Sequence, residues 1–490
     1  MISGFSTLDI IVFLGYFFIL AFSSYLLSKH SVSSTKDYFN ASNSLPLFGV
    51  AISIVATSQS AATFLGVSDY SYAHDFTLIG FYISALFSVI FVAKFFVPRF
   101  YELKVLSVYE LLEYRYGDRA KKQAGLFFLV GRIMASGARL YIAALALSMI
   151  LFLDISFIHM FIAISFLLLG AISYTYFGGI RSVVYSDIIQ AFVYVSAGLV
   201  ALWYLYTSFG DIDILQALQD SDKLVFVDSS LDGKFSILAL MGGWFLLNIA
   251  AFGLDQDMTQ RVLSCKNKDE ASSSLILSIL ITIPIVMIFL SIGALLYLHY
   301  QDMALESEFK GESVTVFMYY ILTELPDGVR GFVSVGAIAA ALSSTNSVLG
   351  AMSSVAIEDI YKPYKLKQDG SYDDSYFLKA SKVAVVFFAV LLMLMALGSY
   401  IWQRNFDIPL ISFALGVMAF TYTGLLGVFF SAIFTKRGNE TTVTYALFGG
   451  FLTVLALQPY TFGVSIGFAW QIVIGSVVAF FIMQLGASDE

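Results

Sequence analysis

Runs of about 20 predominantly apolar residues, the length a helix needs to cross a bilayer, recur thirteen times along this chain. They lie near 8–28, 46–67, 76–97, 123–153, 156–177, 183–207, 235–253, 272–299, 329–355, 379–400, 408–434, 442–458 and 464–486. Inside lipid every backbone amide must be bonded within the chain, and runs of this length satisfy that demand as helices. Only 13% of the 490 residues are charged and 59% are hydrophobic, whereas about a quarter of residues are charged in soluble domains. The sequence therefore predicts an all-α polytopic membrane protein with about 13 transmembrane helices.

An odd number of crossings puts the termini on opposite faces, and loop charge says which face each occupies. Lysines and arginines concentrate in 29–45, 98–122, 178–182, 254–271, 356–382 and 435–441, with Arg99, Lys104, Arg115, Arg119, Lys121 and Lys122 in one loop. The alternate stretches are poor in them, and 208–234 and 300–330 are acid-rich, with Asp211, Asp213, Asp220, Glu306, Glu308 and Glu312. Basic loops stay in the cytoplasm, so the N-terminus is expected outside the cell membrane and the C-terminus inside. The first run lacks a basic leader and is long enough to remain as a span. SVYELLEYRYG, in 98–122, reads as an interfacial helix. The net charge of −8 resides mostly in loops and points to no nucleic-acid partner. No obligate protein partner is evident. One cysteine, Cys265, and four scattered histidines offer neither an intramolecular disulfide nor a thiol or imidazole metal site.

The stretch Gly331–Tyr361 organises the rest. Ala340, Ser343, Ser344, Ser347, Ala351 and Ser354 recur at three-and-four spacing, so small and hydroxyl-bearing side chains share a helix face too polar for lipid. Serines there can bond back to carbonyls of the preceding turn and let a neighbouring helix approach closely. The other reading is a cation site: Na⁺ is a hard ion that takes oxygens, and the Ser343 and Ser344 hydroxyls with the Ala340 carbonyl supply part of such a shell.

Two other spans are interrupted. In the second, the run from Ala56 to Thr63 (ATSQSAAT) places small and polar residues at bilayer depth, where an unwound helix exposes carbonyls. In the seventh, Gly242, Gly243 and Gly253 flank Asn248, a candidate for binding a solute. Two interrupted spans five segments apart are what an inverted-repeat transporter shows. Ionisable residues within spans are functional candidates. Lys94 can snorkel from its helix end and is given no role. Arg132 and Arg139 share a helix face, Arg139 being the deeper, and no Asp or Glu lies in spans two, three, four or seven to neutralise it. Asp187 follows the turn Gly178-Gly179-Ile180-Arg181; it reads either as a cap or partner of Arg181, or as an ion-path carboxylate.

With these residues in view, the chain resembles the sodium/solute symporter family over nearly its whole length. The matching pieces are STKDYFNAS, ATSQSAATFLG, YFGGIRSVVYSDIIQ, DQDMTQRVLS and AIAAALSSTNSVLGAMSSVAIEDIY. The resemblance implies a five-plus-five inverted repeat of the leucine-transporter type. Residues 1–45 would then hold a first helix and loop, 46–207 and 235–434 the two repeats, 208–234 an extracellular loop, and 435–490 two added helices. It implies a principal sodium site formed by the carbonyls of Ala56, Gln59 and Ala340 and the hydroxyls of Ser343 and Ser344. A further sodium site found in some members would use Asp187 and Ser347, although Asn346 stands where a second hydroxyl would help. Sugar-carrying relatives use an acidic residue in the third span and an aromatic gate near the seventh-span break; here the third span has neither Asp nor Glu, and Ala251 sits near that break. Sialic-acid-type relatives pair hydroxyls of the first core helix with an arginine, and Ser58, Ser60 and Thr63 with Arg139 look like such a set. The function implied is Na⁺-coupled import of a small polar or anionic organic solute by alternating access, with sodium as coupling ion; a neutral amino acid or sugar is the alternative solute. A sodium-responsive sensor is the alternative class, disfavoured because the chain ends soon after its last span. No nucleophile–base pair, metal-ligand spacing or phosphate loop suggests an enzyme.

Overall fold

The structure is a computed structural model that describes residues 5–487, except 29–31, 33, 231–232, 302–305, 310–311, 370–372, 406–409 and 463–465. The first residues of two expected spans, 408–409 and 464–465, lie outside the described residues. Apart from the antiparallel strands Glu306–Phe309 and Glu312–Thr315, the regular structure described is helical. Among the described residues six helices are long and apolar enough to cross a membrane, or up to eight if each of two sharply bent pairs is one span. The apolar helices Met418–Phe434, Glu440–Ala456 and Phe468–Gln484 are shorter.

The helices that matter below are α1 (Thr7–Ser28), α2 (Leu47–Ser58), α3 (Ala61–Ala73), α4 (Ile79–Phe95), α5 (Asp118–Phe152), α6 (Phe157–Thr207), α7 (Phe245–Gly253) and α8 (Gln256–Val262). They are followed by α9 (Lys268–Tyr300), α10 (Val329–Ser354), α11 (Asp374–Asn405) and α12 (Leu410–Phe434). Two expected spans, 156–177 and 183–207, are joined in α6, a run of 51 residues bent at Gly179, where φ is +56°. Only glycine adopts that backbone without strain, and a Cβ there would strike the Tyr38 carbonyl.

The pair α2–α3 bends by 60° and the pair ending in α7–α8 by 58°. The second break falls at Leu254–Asp255, immediately after Gly253, and Asp255 caps α8 by accepting from the Asp257 amide. Gly242 and Gly243 do not break the chain: they lie in a single π-helical turn, Leu240–Trp244, and Gly243 has no Cβ because the Ala469 backbone packs against it.

Lipid gives no hydrophobic drive for helix to meet helix, so association rests on small residues and interhelical hydrogen bonds. Ser68 and Ser71 of α3 donate to the Phe289 and Leu290 carbonyls of α9 at 3.0 and 2.7 Å. Ser84 and Ser88 of α4 donate to Leu240 and Phe245 at 2.7 and 2.9 Å. The small-residue helix α10 sits at the centre: the apolar window of its span is 89% buried, against 39% for α6 and α11. Its Gly336 receives Ala197 and Phe64.

On the face carrying the basic loops, side chains bond to backbone across segments. Gln256 accepts from the Val108 amide at 3.0 Å and donates to the Leu106 carbonyl at 3.1 Å, while Tyr109 donates to the Leu254 carbonyl at 3.0 Å. On the acidic face the loop 208–234 is pinned by Lys223. Its ammonium donates to the carbonyls of Tyr72 and His74 at 2.6 and 2.7 Å, at the C-terminal end of α3, and lies 4.0 Å over the Tyr297 ring. Burial holds that ammonium below the ordinary lysine range, against an opposing pull from Asp75.

Candidate functional site: a cavity between two helix breaks

Helix α2 stops at Ser58 because the next turn is engaged elsewhere. Ser60 and Thr63 form a capping box in which the Ser60 amide donates to Thr63 Oγ1 at 3.2 Å and the Thr63 amide donates to Ser60 Oγ at 3.4 Å, the same amide also reaching the Ser60 carbonyl at 2.9 Å. In an unbroken helix those two amides would go to the carbonyls four residues earlier, which belong to Ala56 and Gln59. The break therefore frees the two carbonyl oxygens that the family resemblance nominates for sodium. The Gln59 side chain accepts from the Tyr194 hydroxyl at 3.3 Å, which fixes the residue in its extended conformation.

On the facing helix the hydroxyls part company. Ser344 bonds back to the Ala340 and Ala341 carbonyls at 3.2 and 3.1 Å and lines the cavity with Gln59. Ser343 is wholly buried and donates to Asp187 Oδ1 at 2.7 Å. Ser347 donates to the Ser344 carbonyl at 3.0 Å and interacts with the Asp257 carboxylate. Asp187 and Ser347 thus meet different partners. A hydroxyl that donates to one oxygen keeps lone pairs for a cation, so these bonds are compatible with an ion shell.

Asp187 does not pair with Arg181. Arg181 turns to Ser44 at 2.7 Å and to Asp37 at 3.9 Å, at the edge of the bundle. Asp187 instead meets Arg261 of α8, with Nη2 to Oδ2 at 3.1 Å and both side chains inaccessible to solvent. Ser53 sits between them, donating to Asp187 and accepting from Arg261 Nε at 2.8 Å. Arg261 also holds Asp257 Oδ1 at 3.1 Å. Asp257 and Asp255 both bind Arg132, at 3.2 and 2.8 Å, and the Tyr422 hydroxyl of α12 donates to Asp255. The row runs from Ser343 on α10 to Tyr422 on α12 and ties α2, α5, α6 and α8 between them.

Sequence reasoning missed Asp255, Asp257 and Arg261 as site residues, and it looked for acidic neighbours of the α5 arginines only inside spans. The break after Gly253 turns α8 back toward the bundle, so two carboxylates just beyond the span reach Arg132. The available signal was the spacing Asp257–Arg261, four apart on one helix face, next to an interrupted span.

Arg139, two turns along α5 from Arg132, differs. Among the described residues it makes no ion pair; its Nη2 rests 3.0 Å from the Met418 sulfur. It lines a cavity of about 500 Å³ whose wall also holds Ser58, Ser60, Thr63 and Asn248, so all five expected solute contacts share one space. The Asn248 amide reaches the Phe81 carbonyl only at 3.5 Å. The cavity extends from Arg132 and Asp257 to His74, Lys234 and Trp244 near the acidic face, and its volume suits a small organic solute.

The sodium:solute symporter family model matches residues 38–455. The chain is 27% identical to the sodium/sialic acid symporter SiaT of Proteus mirabilis, covering 96% of this chain and 93% of that protein. It is 28% identical to the sodium/sialic acid symporter NanT of Aliivibrio fischeri, covering 99% and 94%, and 26% identical to a sodium/glucose cotransporter of Vibrio parahaemolyticus, covering 92% and 86%. A solved Na⁺-coupled sialic acid symporter in a substrate-bound outward-open state superposes with a TM-score of 0.84 at 26% identity, over 98% of this chain and 97% of that one. A nucleobase-cation-symport-1 family transporter, 14% identical with a TM-score of 0.58 over 91% and 93%, shares the fold. This chain, with its two broken helices around one cavity, belongs to the sodium:solute symporter family.

Proposed function

We propose that the protein imports a small organic anion, most simply a carboxylate, together with Na⁺ by alternating access. The observation that carries this reading is the contrast between two arginines of one helix. Arg132 is neutralised by Asp255 and Asp257, whereas Arg139 faces the cavity with a thioether for company. A guanidinium is always charged, and among the described residues no carboxylate pairs directly with Arg139, so a solute carboxylate held by its planar fork supplies the direct ion pair that the protein does not. Ser58, Ser60, Thr63 and Asn248 would bond the solute's polar groups. The relatives named for sialic acid, an acid, support the same choice; the glucose cotransporter among the relatives keeps the neutral-solute reading as the alternative.

In this reading Na⁺ takes the carbonyls of Ala56, Gln59 and Ala340 and the hydroxyls of Ser343 and Ser344, and Asp187 with Ser347 is the region for a second ion. Thirteen crossings, with the N-terminus outside and the C-terminus cytoplasmic, follow if α6 counts as two spans; repeats at 46–207 and 235–434 then put one broken helix at the head of each. The basic face is cytoplasmic, and a cavity leading toward His74 and Lys234 is the outward-facing state. Neither the fold nor the relatives support a sensor. The test is uptake into proteoliposomes from a panel of carboxylates, amino acids and sugars. An inward Na⁺ gradient should accelerate uptake of a carboxylate; acceleration of neutral solutes alone would reject the anion.

A further inference from the structure

Asp187, Arg261, Asp257, Arg132 and Asp255 form a continuous buried row in which every carboxylate is in direct ion pair with a guanidinium. Three carboxylates face two guanidiniums, so the row by itself carries one uncompensated negative charge. Arg139 lies two turns along α5 from Arg132, whose like charge opposes it, and within electrostatic reach of both Asp255 and Asp257; with its formal charge included the six groups sum to zero. The other charged side chains of the cavity wall, Asp69 and Lys234, are opposite in sign to each other and belong to the stretch toward the acidic face.

We propose that Arg139 is the charge through which solute and sodium sense each other. A monovalent anion seated on Arg139 cancels its positive charge and leaves the row one unit negative. The row ends at Asp187, which holds the Ser343 hydroxyl at 2.7 Å, beside the oxygens assigned to Na⁺. Sodium restores neutrality there, so each ligand binds more tightly when the other is present, with no contact between them; linkage makes the effect reciprocal. In a water-poor interior such a unit charge acts over many ångströms, because screening is weak. The proposal rests on the anion reading above for its account of coupling, but its electrostatic premise is testable with no solute at all.

The measurement is a Na⁺ titration of purified protein in choline-balanced buffer without solute, read as thermal stabilisation. Arg139→Gln unbalances the row by one negative charge and should tighten Na⁺ binding about fivefold or more. Arg139→Lys keeps the charge and should leave Na⁺ affinity within about twofold of the parent. Ser58→Asp adds a carboxylate to the same cavity wall while leaving the guanidinium in place, and should tighten Na⁺ binding in the same direction, which covers the case in which Arg139→Gln fails to fold. Unchanged or weaker Na⁺ binding in the folded charge-altering variants overturns the proposal, as does equal tightening in Arg139→Lys and Arg139→Gln, which would make the effect one of shape. A best solute that proves neutral would overturn the anion reading, whereas the solute-free titration would still decide whether the charge of Arg139 sets Na⁺ affinity.

Discussion

Arg261 Nη2 lies 3.1 Å from Asp187 Oδ2, and neither side chain has any exposed surface. The pair joins α8, just past one helix break, to the middle of α6, and through Ser343 to α10, the helix proposed to hold sodium. Removing one member of a buried pair strands the other, at a cost of about 3–5 kcal/mol. Asp187→Asn is therefore expected to lower thermal stability as well as Na⁺ affinity. The double variant Asp187→Asn with Arg261→Gln should recover part of the stability, since Arg261 also holds Asp257, but not the Na⁺ response. Scanning fluorimetry of the three proteins with and without Na⁺ checks this; a fully stable Asp187→Asn would show that the pair does not hold the helices.

The two serines proposed as sodium ligands should separate by what else they touch. Ser344→Ala removes a hydroxyl that otherwise bonds only to carbonyls of its own helix, so it should weaken Na⁺ binding about tenfold, roughly 1.4 kcal/mol, with little change in stability without sodium. Ser343→Ala also takes a donor from Asp187 and should add about 1–3 kcal/mol of destabilisation. Sodium titrations followed by protein unfolding distinguish them, and parent-like Na⁺ affinity in both would remove the site from this helix.

The arginines of α5 should diverge in the same way. Arg132→Gln leaves Asp255 and Asp257 short of a counter-charge and is expected to reduce yield and thermal stability sharply. Arg139→Gln breaks no ion pair among the described residues and should give folded protein that has lost solute binding. Expression, melting temperature and solute binding measured side by side would reverse the assignment if Arg132→Gln were the one that stayed stable and stopped binding.

Gly179 tests the bend in α6. Its φ of +56° and the Tyr38 carbonyl against it leave no room for a side chain, so Gly179→Ala should destabilise by about 1–3 kcal/mol. The readout is melting temperature without ligands; a parent-like value would mean that the bend can form without glycine.

Much of this was legible in the chain. Apolar length located the helices, and the polar run from Ala56 to Thr63 located the first break, because local capping by Ser60 and Thr63 is encoded within four residues. Ser58, Ser60, Thr63, Arg139 and Asn248 could be grouped because the family resemblance supplied the packing that spacing alone does not. The second break was misplaced in part: glycines drew attention to Gly242 and Gly243, but the turn is set by the Asp255 cap, and those glycines serve helix packing. The partner of Asp187 was not legible either. Arg181 is close in sequence, whereas Arg261 comes from the other half of the chain and reaches Asp187 only when α8 folds back. Pairings across distant helices are fixed by tertiary geometry, and a one-dimensional pattern favours the nearer charge.

The central claim is that a solute anion binds at Arg139 in a Na⁺-dependent way. The direct measurement is solute affinity, by calorimetry, of parent and Arg139→Lys protein for the best carboxylate, each with Na⁺ and with choline. The account predicts binding by the parent in Na⁺ that weakens at least tenfold in choline. In Arg139→Lys it predicts a similar tenfold loss even in Na⁺, because an ammonium cannot reproduce the planar fork, while the protein's own Na⁺ affinity stays near the parent value. Undiminished carboxylate affinity in Arg139→Lys, or equal affinity in Na⁺ and choline for the parent, would contradict it.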